Sequence, residues 1–184
     1  LAQTSSERTL RGELLGLAFA VPGGHAWYLP LGHERPFELS LEGAGPDGPS
    51  NLPRLDGSEA SPLRSYLEDP DAPKIGHDLK NTALALSLHG ITLRGMAFDG
   101  MVASYVIDPG RRSHDLPTLS MELLGHKPTE LSDVVGSGRD RSPLVESGIE
   151  AMRDHLCENA HVALELRPLL MMQLDKHGLA DLMA

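Results

Sequence analysis

The chain has 184 residues, 40% hydrophobic and 23% charged, with a formal net charge of −10 at pH 7. These are globular values, the length suits one domain with a real core, and so acidic a balance argues against a free-standing nucleic-acid binder, whose phosphate affinity comes mainly from Lys and Arg. The single Cys157 excludes an internal disulfide and suits a reducing cytosol, and no apolar run approaches the roughly 18–20 residues of a membrane span. No signal peptide is visible, and a start at Leu1 rather than Met reads as a piece of something larger, residues 1–184 forming one domain of it.

In chain order, Leu1–Glu13 is polar and gives no pattern. Leu14–Val21 (LLGLAFAV) and His25–Leu31 (HAWYLPL) read as two strands joined at Pro22-Gly23-Gly24, a hairpin by its turn chemistry. Gly32–Gly57, rich in Pro and Gly and without period, reads as a long surface loop. Ser58–Glu68 is a short helix with Leu63, Tyr66 and Leu67 on its apolar stripe, and Asp69–Pro73 turns the chain.

Lys74–Tyr105 then alternates strand and helix. Lys74–His77 is a short β-like run; Leu79, Ala83, Leu86 and Leu88 have helical spacing, closed by His89-Gly90. Met96–Phe98 is the next strand, and Asp99 is a good N-cap for another amphipathic helix. This is a βα unit feeding a sheet, so the fold class is α/β. All four strand-like runs are expected in one sheet.

Beyond it, Asp108–Arg112 is a turn carrying two cations, and His114-Asp115 opens a helix with Leu116, Leu119, Leu123 and Leu124 inward. Thr129–Val135 suits a short helix, and Gly136–Pro143 a loop with Arg139 and Arg141. The longest periodic segment follows: Ile149, Met152, Leu156, Ala160, Ala163, Leu164, Leu170, Met171 and Leu174. Pro168 predicts a kink or a break between two helices there, and Gly178 a stop. There is no internal repeat.

Nine histidines invite a metal reading. His77, His89, His114, His126 and His155 fall in no HxxxH or HExxH spacing, and one cysteine offers no thiolate set, so they read as structural or surface histidines. Arg111-Arg112 and Arg139/Arg141 read as solvated loop charges rather than phosphate ligands. Cys157 lies beside the apolar stripe with no evident base and reads as a packing residue, as do Met171 and Met172.

The phrases KIGHDLK, HGITLRGMAFD, SYVIDP and SHDLPTLSMELLGHK resemble the 3′–5′ exonuclease (proofreading) domain of bacterial family A DNA polymerases. LLGLAFAVPGGHAWYLPLGH looks like that family's hairpin after its first motif, and HLCENAHVALEL like its last motif helix. The resemblance runs from Leu1 to about Asp175. It implies a ribonuclease H-like exonuclease fold, a mixed central sheet with helices on both sides. It also implies four carboxylates holding two divalent ions: a DxE pair, an Asp on the helix after KxGxxLK, and the Asp of a YxxxD motif whose Tyr helps place the attacking water. The chemistry needs that charge, because two cations must be neutralised while they activate water and stabilise the leaving 3′ oxygen.

Carried over residue by residue, the resemblance puts Leu1 and Gln3 at the DxE positions, Thr82 at the helix Asp, and His155 and Asn159 at the YxxxD pair. Spaced four apart, His155 and Asn159 share a helical face. No catalytic set is intact, and the two divalent ions are expected to be lost, leaving no cofactor. The expectation is a catalytically inactive, vestigial domain of a bacterial, cytoplasmic DNA polymerase I, a scaffold in DNA replication and repair. Its partner would be an adjacent polymerase domain, with DNA met through the parent chain, weak or no nucleic-acid binding alone, and no membrane. Two alternatives remain open. One is an active exonuclease with ligands drawn from Asp78, Asp99, Glu158 and Glu13; the other is a module that holds single-stranded DNA or a protein in the old cleft.

Overall fold

The computed structural model describes residues 13–34, 50–138 and 142–183, together with the backbone of 2–4. Leu1, most of the Gly32–Gly57 loop, and Arg139 with Arg141 lie outside the described residues. Five strands and six α-helices occur among those described: β1 (Ala2–Thr4), β2 (Leu14–Val21), β3 (His25–Pro30), α1 (Ser61–Glu68), β4 (Lys74–Gly76), α2 (Leu79–Ser87), β5 (Met96–Asp99), α3 (Gly100–Ile107), α4 (Leu116–Leu124), α5 (Leu131–Val135) and α6 (Ile149–His177). Single 3₁₀ turns precede α1, precede α6 and close the chain at Ala180–Met183.

β2 is buried on both faces, which explains why LLGLAFAV is apolar throughout instead of alternating. It pairs antiparallel with β1 on one side and β3 on the other. The ladder to β1 passes from Gly16 to Leu14 while β1 advances only from Gln3 to Thr4. That bulge at Leu15 flips the pleat. Leu14 and Leu17 therefore pack with Leu55, Leu67, Leu86 and Ile91 beside α1 and α2, while Leu15 and Ala18 pack with Val135, Leu144, Met152 and Leu156 beside α5 and α6. Helices thus cover both faces of β2.

Gly16 is required by a neighbour. A Cβ there would stand 2.1 Å from the Tyr28 hydroxyl. Tyr28 folds across this glycine to meet His33 Nε2 at 2.6 Å, and His33 Nδ1 lies 2.9 Å from the Ser147 carbonyl. A ring nitrogen on a carbonyl must carry the proton, so His33 Nε2 accepts from the tyrosine. Burial holds His33 below its ordinary value, against the pull of the Ser147 carbonyl, and pushes the Tyr28 hydroxyl up. This chain of bonds ties β3 to the start of α6.

The expected single sheet is divided. Among the described residues β4 pairs in parallel with β5 alone, in a two-stranded sheet separate from β1–β2–β3. β4 has only three residues, and its ladder is committed on the β5 side, where Lys74 N–H donates to the Gly95 carbonyl at 2.7 Å. Gly95 allows this approach through a positive φ of 67° at a point where a Cβ would fall 2.4 Å from the Ala72 carbonyl. Lys74 is itself buried, its ammonium donating to the Asp69 carbonyl at 2.6 Å and lying 4.9 Å from the centre of the Tyr66 ring.

α6 is the element both sheets share. Its first half packs under β2, and its second half, through Val162, Leu166, Leu170 and Leu174, joins Phe98, Ala103, Leu116 and Leu119. Of the kink or break expected at Pro168, the break does not occur: with burial on either side of it, α6 runs without division over 29 residues and Pro168 lies on its exposed side. Three smaller expectations also change. β1 lies in the Leu1–Glu13 stretch, whose sequence gives no pattern. Leu88 caps the end of α2 and is 48% exposed, the inward place belonging to Ala85. His77 lies just past β4 rather than within it. No helix among the described residues is long and apolar enough to cross a membrane.

Candidate functional site

The first-motif position that can be described, Gln3, lies on β1 opposite Gly16. α2, which carries Thr82, packs against β1. Thr82 is half-buried on α2, and its backbone N–H donates to the Asp78 carbonyl at 3.4 Å. The structure therefore brings the elements of Gln3 and Thr82 side by side. No hydrogen bond joins Thr82 to His155 or Asn159.

His155 and Asn159 meet as their spacing requires, one turn apart on α6 and both buried. His155 Nδ1 lies 2.8 Å from the Thr129 carbonyl, so that nitrogen carries the proton. His155 Nε2 is then free to accept, and the Asn159 amide nitrogen stands about equally far from both ring nitrogens, 3.2 Å from Nδ1 and 3.3 Å from Nε2. Burial lowers the His155 value, against the opposing pull of the Thr129 carbonyl, so the ring is neutral around pH 7. Asn159 Oδ1 is buried without a partner among the described residues.

The flank of this face is also tied down. Glu158 accepts from the Thr129 N–H at 2.9 Å and from His126 Nε2 at 2.8 Å. Burial pushes its carboxyl up, but those bonds outweigh it and hold Glu158 below its ordinary value. His155 and Glu158 together clamp the segment that leads into α5. Glu158 is thus committed to structure.

The other acidic candidates stand elsewhere. Asp99 Oδ1 accepts from the N–H groups of Asp78 (3.1 Å), Met101 (2.8 Å) and Val102 (3.3 Å), and Oδ2 from that of Leu79 (2.7 Å). One carboxylate thus caps the N-termini of α2 and α3 at once. Asp78 holds a left-handed φ of 56° and caps α2 through the Asn81 N–H at 3.3 Å. Glu13 is exposed. No three His, Cys, Asp or Glu side chains form a metal-ligand cluster among the described residues.

Sequence reasoning missed two features. The Tyr28–His33–Ser147 chain joins positions far apart in sequence, and no local pattern marks it. An apolar groove of about 640 Å³ runs between α2, β5, α3 and the final 3₁₀ turn, lined by Ala83, Ile91, Met96, Phe98, Val102 and Leu182. Thr82, His155 and Asn159 do not line it.

The donor set does not suit a pair of divalent ions. Two such ions need several carboxylates, whereas Asn159 offers one neutral oxygen, Thr82 a hydroxyl, and leucine no donor at all.

Comparison with known proteins agrees with this architecture. The family model for the DNA polymerase I ribonuclease H-like domain matches residues 52–166. DNA polymerase I of Pseudomonas aeruginosa is 32% identical over 175 residues, covering 94% of this chain and 18% of that protein. DNA polymerase I of Rhizobium leguminosarum is 31% identical over 188 residues, covering 97% of this chain and 18% of its own length. The chain therefore spans about a fifth of the relatives it matches. Among solved structures, the POL domain of Pol1 from M. smegmatis in complex with DNA primer-template and dNTP superposes with a TM-score of 0.68 at 20% identity, over 100% of this chain and 24% of that one. Brucella melitensis NrnC bound to pGG gives 0.66 at 16% identity, over 100% and 75%. At such identities these likenesses speak for the fold alone.

Proposed function

Because the chain belongs to the DNA polymerase I ribonuclease H-like domain family, the 3′–5′ exonuclease domains of family A polymerases, we propose that it is a non-catalytic member. In this reading it serves as a scaffold within a longer DNA polymerase I-type chain engaged in replication and repair. Its partner is an adjoining polymerase domain, and DNA is met through that domain rather than through this acidic chain. The scaffold is a single domain over residues 1–184.

The observation that supports this reading is the His155–Asn159 pair. At the place where the resemblance puts a tyrosine and a ligand aspartate stand two neutral, buried side chains bonded to each other and to the Thr129 carbonyl. The imidazole nitrogen that could take a proton from water lies beside the Asn159 amide. No step of two-metal hydrolysis can be written with Gln3, Thr82 and Asn159 as the donors.

The test is degradation of 3′-labelled single-stranded DNA by the purified chain with millimolar Mg²⁺ or Mn²⁺. No loss of label is expected. Degradation that Thr82→Ala and Asn159→Ala both abolish would overturn the proposal. A companion titration with a 3′ single strand at rising salt is expected to be flat; salt-dependent affinity would favour a binding module instead.

A further inference from the structure

Met96, Ala97 and Phe98 all line the apolar groove, although consecutive strand residues point to opposite faces. The groove therefore runs along an edge of β5, and among the described residues β5 pairs only with β4. A free edge presents unpaired N–H and C=O groups, which folded chains guard with charges or prolines. Met96-Ala97-Phe98 has neither, and the acid that follows, Asp99, is committed to two helix caps. The next element, α3, carries no charge in its eight residues, GMVASYVI, and a helix apolar all round belongs in an interior. Yet Val102, which lines the groove, and Tyr105, one turn on along the same face, expose half or more of their surface, as do Met96 and Leu182. On a chain of net charge −10, this uncharged face is built for a partner.

We propose, resting on the scaffold role above, that this face receives the adjoining polymerase domain, which lays an extended apolar segment on β5 as a further strand. The chain spans 18% of the DNA polymerase I relatives, so a longer chain of this family has ample surface to set against the face. Leu182 and Met183 of the closing turn form one wall of the groove, so chain continuing from that turn starts at its lip. A strand on β5 satisfies the outward main-chain groups, and its alternate side chains enter a groove of about 640 Å³. Lys80 stands exposed on the rim with no ion pair among the described residues, so the segment carries an acidic residue at the α2 end. A second copy is the poorer occupant, because it would set one net charge of −10 against another.

The test sets this chain in place of the segment it matches in DNA polymerase I of Pseudomonas aeruginosa and compares amide hydrogen exchange with that of the isolated chain. Residues 96–105 are expected to exchange severalfold more slowly in the chimera. Val102→Glu is expected to remove that difference and to leave thermal unfolding of the isolated chain unchanged, because the side chain is exposed.

Slowing around exposed Trp27 of β3 instead of residues 96–105 would keep the adjoining domain and refute this face, and no slowing anywhere would refute both. Slowing that survives Val102→Glu would also overturn the proposal. So would self-association of the isolated chain that Val102→Glu abolishes, which would give the face to a second copy. If the chimera does not fold, the isolated chain decides with a short peptide that alternates valine and threonine and ends in glutamate. At millimolar concentration it is expected to slow exchange at residues 96–98, whereas a copy N-methylated at alternate residues is not. No slowing by the first peptide, or equal slowing by both, would refute strand addition.

Discussion

The His155–Asn159 face and the Asp99 corner are two polar clusters on one scaffold, and they differ in what their polar groups do. On α6, two neutral side chains satisfy one another and a single backbone carbonyl, leaving Asn159 Oδ1 over. At the corner, one carboxylate accepts four backbone N–H groups belonging to two helices. The contrast shows that acidic residues in this fold are not interchangeable evidence for chemistry. Asp78, Asp99 and Glu158 are charged and placed near conspicuous motifs, yet each is occupied in holding backbone. The negative charge goes where helix ends need it.

The comparison breaks most directly at Asp99. Asp99→Ala removes the acceptor for two helix N-termini and is expected to cost roughly 2–4 kcal/mol, about twice a single lost cap. Urea unfolding followed by circular dichroism measures it, and Asp99→Asn is expected to recover part of the loss through one remaining oxygen. A cost under about 0.5 kcal/mol would mean that the corner is held by packing alone. Next in size is Gly16→Ala. The new methyl must expel the Tyr28 ring, separating its hydroxyl from His33. The expected cost is about 1–3 kcal/mol. Tyr28→Phe should reproduce part of it, and Gly16→Ala in a Tyr28→Phe background should still clash, because the ring remains.

Much of the scaffold was legible because it is local. Asp99 announced itself as an N-cap, the hairpin by its Pro-Gly-Gly turn, and α6 by its apolar period. What escaped depends on partners distant in sequence. β1 has three residues and gains its identity only from pairing with β2. The bulge at Leu15, which puts Leu14 on the face of Leu17 and Leu15 on the face of Ala18, cannot be seen in a run where every residue is apolar. The split between the two sheets depends on which neighbour a three-residue strand chooses, and the helix continues through Pro168 with burial on both sides of it. At the candidate site, the spacing of four placed His155 beside Asn159 correctly. Their bonding to Thr129 and the double duty of Asp99 were invisible, because the sequence names a cap but not how many helices it serves.

A smaller effect tests the neutral face. Asn159→Asp puts a buried carboxylate beside both nitrogens of a neutral imidazole. At about pH 8 that charge has no cationic partner, and a loss of about 1–2 kcal/mol is expected. Near pH 6 the carboxylate draws a proton onto His155, and the new ion pair offsets part of the loss. The variant should therefore be relatively more stable in mild acid, opposite to the parent, whose His155 is held below its ordinary value by burial. Thermal unfolding across this range checks it, and a loss independent of pH would mean that His155 does not sense position 159.

The smallest expected effect is on activity, and it bears most directly on the proposed function. Asn159→Asp alone should restore no 3′-end degradation, because it adds one carboxylate where two cations need several, and groups that act as a unit are strongly non-additive. Leu1→Asp, Gln3→Glu, Thr82→Asp and Asn159→Asp together rebuild the ligand set, and His155→Tyr rebuilds the group that places water. Even then the supporting shell is wrong. The Thr129 carbonyl that now accepts a hydrogen bond from His155 Nδ1–H would face a phenol of different reach, and Glu158 would remain tied to Thr129 and His126. Ligands without fitted support bind metal loosely, so recovery should be slight and better with Mn²⁺ than Mg²⁺. Labelled single-stranded DNA, compared across the parent, each single variant and the combined variant, measures it. Strong activity from any single change would show that the remaining donors already hold metal, and the distinction between the two clusters would collapse.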